Sequence, residues 1–249
     1  MKRFRFHTII FLIVFVLSGE RSQSQEFMPF ALSNYAGVSG VGLQPASIVD
    51  SRYRFDMVFL GGNFLFSNNY VALKSEAMFK PKHWGDDDFR DKYVVENLDG
   101  KDKSGVVGFT ILLPSFMLNL SDRSAIAFTT RVRGMSNVDN ITEDLAVFAY
   151  NNFDYEPLLY KNLTNANFSM QGNVWAEIAF TYANVIMDRD KHFLKGGITL
   201  KYLKGVASAY SFVRDLNYRF DGSDTLSLFQ SKVNYGITSN FDDGGIDFF

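Results

Sequence analysis

Residues 173–205, NVWAEIAFTYANVIMDRDKHFLKGGITLKYLKG, restrict what this chain can fold into more than any other stretch, because they hold two alternating runs joined by one charged turn. In the first run Val174, Ala176, Ile178, Phe180 and Tyr182 share one face, while Trp175, Glu177, Ala179, Thr181 and Ala183 share the other. The second run repeats the pattern, with Leu194, Gly196, Ile198, Leu200 and Tyr202 against Lys195, Gly197, Thr199, Lys201 and Leu203. A period of two is that of a β-strand, and a turn at Asp188, Arg189, Asp190 and Lys191 makes the pair a hairpin. Each arm exceeds the roughly 5–6 residues of an ordinary strand and matches the ~9–11 that cross a bilayer at a tilt. The spacing predicts a transmembrane hairpin; a long hairpin of a soluble sandwich or lipocalin-like barrel is the competing fold.

The N-terminus favours the membrane. Lys2, Arg3 and Arg5 precede the apolar run 9–17, which Gly19 and a polar ERSQSQ follow, the pattern of a secretory signal peptide over residues 1–25. Removing Lys2, Arg3, Arg5, Arg21 and Glu20 takes three net positive charges from the formal −2 and leaves −5, so no basic surface points to nucleic acid. Cysteine is absent, which excludes a disulfide framework, a thiolate nucleophile, a cysteine metal site and an acylated-cysteine anchor. The most apolar later stretch, 106–120, is broken by Pro114, Ser115 and Asn119 and is too short for a helical span. An exported chain with 26 Phe and 12 Tyr and strand-period patterning is expected to be all-β, an antiparallel outer-membrane β-barrel whose aromatics sit at the lipid boundary.

Three segments follow from this: signal peptide 1–25, an irregular lead-in or lumen hatch 26–51, and barrel 52–249. In the lead-in, Gly37, Gly40 and Gly42 prevent a regular element before Pro45 and Ala46. A first strand begins at Tyr53, and its apolar set slips by one residue at Gly61-Gly62, a bulge signal. A polar loop over 70–104 carries Asp86, Asp87 and Asp88, read as a solvated tip because the spacing does not suit a calcium loop. Strands at 106–120 and from Ile126 flank a short turn. The loop 136–167 holds a short helix over 142–150, capped by Thr142 and acidic residues. After the hairpin, strand five continues past Gly205 to a turn at 221–224, and strand six descends from Thr225. A turn at 242–245 starts a seventh strand at Ile246, so the barrel is expected to be incomplete, with about seven strands. Short turns alternate with long excursions, as periplasmic turns alternate with extracellular loops.

On the polar faces lie Arg131, Arg133, Glu177, Lys195, Lys201, Gln230 and Lys232, the candidate lumen lining. They form either a permeation path or a closed salt-bridge network. A three-residue turn over 188–190 would set Glu177 opposite Lys201. Outside the leader the histidines are His83 and His192, and neither has a partner at ligand spacing, so no metal or cofactor is expected. A lipid hydrolase built into the wall is the remote enzymatic alternative, but Ser169 and His192 fall at opposite ends of one strand, and the chain is expected not to be an enzyme.

The segments NYAGVSGVGLQPASIVDSRYRFDM, FLFSNNYVALK, ITLKYLKGVASAYSFV and DTLSLFQSKVNYG resemble a family of uncharacterised outer-membrane barrels common in Bacteroidota. More distantly, glycines followed by LQPASI resemble the hatch segment of FadL-type channels for hydrophobic compounds, with Gln44 where that family has asparagine. The first resemblance implies location in the outer membrane, but no site residue. The second implies that Gly37, Gly40, Gly42, Pro45 and Ala46 belong to a hatch folded into the lumen. The expected function is a channel for small apolar molecules; the alternative is a non-conducting scaffold barrel. Expected partners are outer-membrane lipid and, through the long extracellular loops, other envelope proteins.

Overall fold

The structure, a computed structural model, describes residues 31–33, 35–78, 88–222 and 225–238. The leader, His83, the tip at Asp86 and Asp87, the turn 242–245 and the seventh strand all lie outside the described residues. Strands dominate: β1 (Phe55–Val58), β2 (Gly61–Asn68), β3 (Val71–Leu73), β4 (Val94–Glu96), β5 (Lys103–Leu112), β6 (Ser115–Ser121), β7 (Ser124–Ile141), β8 (Leu163–Arg189), β9 (His192–Phe220) and β10 (Leu226–Ile237). The helices are short: α1 (Ser75–Met78), α2 (Phe89–Tyr93) and α3 (Glu143–Tyr150). All ladders are antiparallel, and the fold is all-β.

Six staves make the main sheet. β1 and β2 form the first and pair with β6 and β5, which form the second; β7, β8, β9 and β10 follow in chain order. The small β3–β4 pair stands apart. Among the described residues no ladder joins β1 or β2 to β10, so the sheet keeps two edges. The slip at Gly61 is a break between β1 and β2, after which the exposed aromatics move from Phe55 and Phe59 to Phe64 and Phe66.

The two faces differ in kind. Met57, Phe116, Phe128, Phe180 and Leu200 lie in register across five staves, and Phe55, Leu118, Ile126, Tyr182 and Ile198 form the next such row. Most of these side chains are exposed. Between the two rows, on the opposite face, Asp56, Met117, Ala127, Thr181 and Thr199 line up. This second face is the inner one, and small residues occupy much of it.

Several connections differ from expectation. β7 runs to Ile141 and β8 starts at Leu163, so Asp139 pairs Ser169 where a loop was expected. The β8–β9 turn has two residues, Asp190 and Lys191, between the paired Arg189 and His192, and a register shift falls between Val185 and Met187. Glu177 therefore faces Leu203 on β9, not Lys201, which pairs Ala179. α3 starts where the sequence placed it, but the Thr142 hydroxyl makes no cap bond; it accepts from the Asn165 amide at 3.5 Å.

Pro114 divides the second stave because it has no N–H for the ladder. Ser115 fills the gap: its Oγ donates to the Leu113 carbonyl at 2.8 Å and accepts from the Thr130 N–H at 3.0 Å. Ser115 is 1% exposed, and its hydroxyl covers that N–H. Ser115→Ala should destabilise the chain by about 1–3 kcal/mol, the usual cost of a buried donor left unpaired. Denaturant unfolding of the purified protein in detergent measures this, and an unmoved midpoint would refute the patch.

Candidate functional site

The lead-in lies against the inner face. It makes two short 3₁₀ turns, Gly37–Gly40 and Pro45–Ile48, and sets Val38, Val41, Ile48 and Val49 against Met117, Ala125, Ala127, Ala183 and Val185. Val38, Ile48 and Val49 are completely buried. Alanines on β7 and β8 hollow out this seat, and Gly197 on β9 makes it deeper still. A Cβ at Gly197 would stand 2.8 Å from the Pro45 carbonyl carbon and the Ala46 nitrogen, so the backbone of the segment rests directly on β9.

Polar contacts fix the ends. Gly37 adopts φ +51°, and the next N–H, of Val38, donates to Asp56 Oδ2 at 2.8 Å. Lys195 Nζ donates to the Val49 carbonyl at 3.2 Å. Gly40 packs against the Ala31 carbonyl and Ala36, and Gly42 passes over the Arg131 guanidinium. All five candidate hatch residues thus belong to one segment on the wall.

The candidate lining residues divide into groups. Arg131 faces Glu177 across the β7–β8 ladder. Glu177, 6% exposed, accepts from Trp175 Nε1 at 2.8 Å and pairs with Arg133 at 3.5 Å. Lys201 borders the same region as Arg131, beside Gly42 and Leu43. Lys195 instead holds the far end of the lead-in. Gln230 and Lys232 lie outside this group: both are exposed on β10, where Gln230 accepts from Asn217 and Lys232 pairs with Asp215 at 2.9 Å. Ser169 pairs Phe212 and His192 pairs Arg189, at opposite ends of the β8–β9 hairpin.

Sequence reasoning missed the seat. Ala125, Ala127, Ala183 and Gly197 carry no chemistry, and their signal was a run of small residues on the side of the strands opposite the aromatics. Trp175 was placed on the polar face, but its bond to Glu177 was not foreseen.

A second cluster sits at the end of the sheet formed by the extensions of β8 and β9. Phe148 of α3 packs against Tyr218 and Phe220, with 4.3 Å between the Phe148 and Phe220 ring centroids. Tyr70, Ala146 and Val147 form the neighbouring core. Lys103, 3% exposed, pairs with Asp99 at 2.6 Å and Glu143 at 3.1 Å and donates to the Asn97 carbonyl. Burial works against the Lys103 charge, but bonds to Asp99 and Glu143 outweigh it and raise its pKa. The Lys103 bond lowers Asp99, and the Gly100 N–H followed by Lys103 lowers Glu143.

A model for a family of unknown function, DUF5723, matches residues 45–247. The chain belongs to this family. The match begins inside the lead-in, so Pro45 and Ala46 fall within the family's shared region. Among curated proteins and solved structures, none matches the chain.

Two outcomes follow. Gly197→Val meets backbone atoms that cannot swing away and should destabilise seating by about 1–3 kcal/mol, seen as faster proteolysis within 31–50. The Lys103 cluster sets the second. Lowered carboxylates stabilise above their unfolded pKa of ~4 and lose that contribution as pH falls through their folded values; the raised lysine loses its own only as pH rises past ~10.4. Amides of 97–103 and 143–150 should therefore keep their protection from pH 5 to about 10, after correction for intrinsic exchange, and lose it below about pH 4, measured by hydrogen exchange.

Proposed function

We propose that this chain is exported by its leader and forms the wall of an outer-membrane β-barrel, with residues 31–50 as an inner plug that gates passage of small molecules. The two in-register apolar rows carry the reading: ten aliphatic or aromatic positions run across five staves on one face. Water does not favour an apolar surface of that extent, whereas lipid does. In lipid, the edges at β1/β2 and β10 require partners, because an unpaired backbone group there costs several kcal/mol. The resemblance to Bacteroidota barrels supports the location, and the FadL-like glycines and LQPASI segment support a hatch.

The plug reading draws on packing. A segment that rests on alanines and glycine through short apolar side chains can leave without breaking any ladder of the wall. Its removal still has a cost, since Val38, Val41, Ile48 and Val49 bury apolar surface that would be re-exposed. Deleting the lead-in is therefore expected to lower stability as well as open the passage. A non-conducting scaffold is the second reading, favoured by the ordered cap of α3 and Lys103, which offers a fixed surface at one end of the sheet.

The absence of cysteine provides the test. Single cysteines replacing Leu200 or Tyr202 should be shielded from water-soluble thiol reagents in membranes, and Lys201→Cys should label once residues 27–50 are deleted. In cells matched for shielded, membrane-inserted protein, that deletion should raise uptake of a hydrophobic dye several-fold. Labelling of Leu200→Cys at the rate of a soluble control overturns the membrane reading. Shielding with unchanged uptake leaves the scaffold.

A further inference from the structure

Between the lead-in and the wall is a cavity of about 140 Å³. Its polar side is formed by Arg131, Arg133, Lys201 and Thr110, and its apolar side by Leu43 and Leu112. Three cations border it, and among the described residues Glu177 adjoins them, accepting from Trp175 and pairing with Arg133. Arg131 and Lys201 bring two further positive charges to the cavity. Thr110 is 7% exposed, and its Oγ1 is buried without a partner. Across the ladder from Thr110, the Asn63 amide nitrogen is likewise buried and unpartnered.

We infer that this cavity is a binding site for one compact oxyanion, a carboxylate or a phosphate, held between the lead-in and the wall. Charge and donor inventory both select an anion. Guanidinium groups present forked N–H donors that match two oxygens at once, and a threonine hydroxyl donates a further bond. A neutral apolar guest would leave Arg131, Lys201 and the Thr110 hydroxyl unanswered, which is costly away from water. A cavity of about 140 Å³ has room for a compact polar head. The polar lining is confined to Arg131, Arg133, Lys201 and Thr110, so the cavity receives the head of an anion rather than its tail.

The position gives the anion a structural effect. Gly42 lies so close to Arg131 that a Cβ there would overlap the guanidinium, so the cation touches the lead-in backbone on one side and faces Glu177 on the other. An oxyanion bridging Arg131 and Lys201 would tie β7 to β9 directly beneath residues 42 and 43. This goes beyond the passage reading and does not depend on it: a non-conducting barrel would bind the same ion.

Equilibrium dialysis of the purified full chain in non-ionic detergent, against radiolabelled inorganic phosphate and in parallel against decyl phosphate, tests the site. Saturable binding of either probe is expected, at one per chain. Arg131→Gln and Thr110→Val should each weaken it roughly tenfold, the scale of one lost charge-assisted bond, while Lys232→Gln, on exposed β10, leaves it unchanged. Thr110→Val conserves shape and removes an unpaired hydroxyl, so it should fold at least as well as the parent, and its circular dichroism melt checks this. Binding of inorganic phosphate identifies a free ion; binding of decyl phosphate alone identifies the head of an amphiphile. No saturable binding of either probe, or binding indifferent to both Arg131→Gln and Thr110→Val, overturns the inference.

Discussion

A β-strand has two faces and no third, so any sheet that meets two media must sort its side chains between them residue by residue. Here that sorting decides everything else. Odd positions of β7 and β8 carry alanine, threonine, arginine and glutamate, while even positions carry isoleucine, phenylalanine and tyrosine. Because the inner residues are small, their face cannot make a core by itself. The lead-in supplies the missing volume with four short apolar side chains and no regular strand. Wall and lead-in are thus two halves of one packing problem.

The charged group beneath the lead-in follows from the same economy of space. Where alanine gives way to Arg131, Arg133 and Glu177, the segment above has Gly42, whose missing side chain leaves room for the Arg131 guanidinium. Glu177 is held by an indole N–H and a guanidinium, so it cannot swing to a new partner without leaving a buried donor unpaired. The cap is organised differently, around one buried ammonium that joins a loop carboxylate to the first turn of a helix.

How much of this the sequence revealed depends on whether apolar alternation marks the element. The β8–β9 hairpin, the break at Gly61 and the return strand after Asp221 were legible because large side chains keep period two there. The extensions of β7 beyond Ser136 and of β8 before Asn173 were not, since polar residues such as Asn137, Asp139, Asn165 and Ser169 sit in their ladders without apolar alternation to mark them. The partner of Glu177 was misjudged because the turn is Asp190 and Lys191, not 188–190, which moves the pairing three places along β9, and the bulge near Ile186 takes back one. Thr142 looks like a cap, but its hydroxyl is turned toward Asn165, a residue 23 positions away.

The bond from Lys195 to the Val49 carbonyl spans 146 residues of sequence. Contacts so distant along the chain must wait for everything between them, whereas the two-residue turn at Asp190 and Lys191 lets β8 and β9 zip from neighbouring positions outward. Assembly therefore has a direction: the β8–β9 hairpin can form early, and the lead-in finds its seat late. Until they do, the inner face of a growing wall is bare. For a time every newly made molecule has the shape it would keep if its lead-in were cut away.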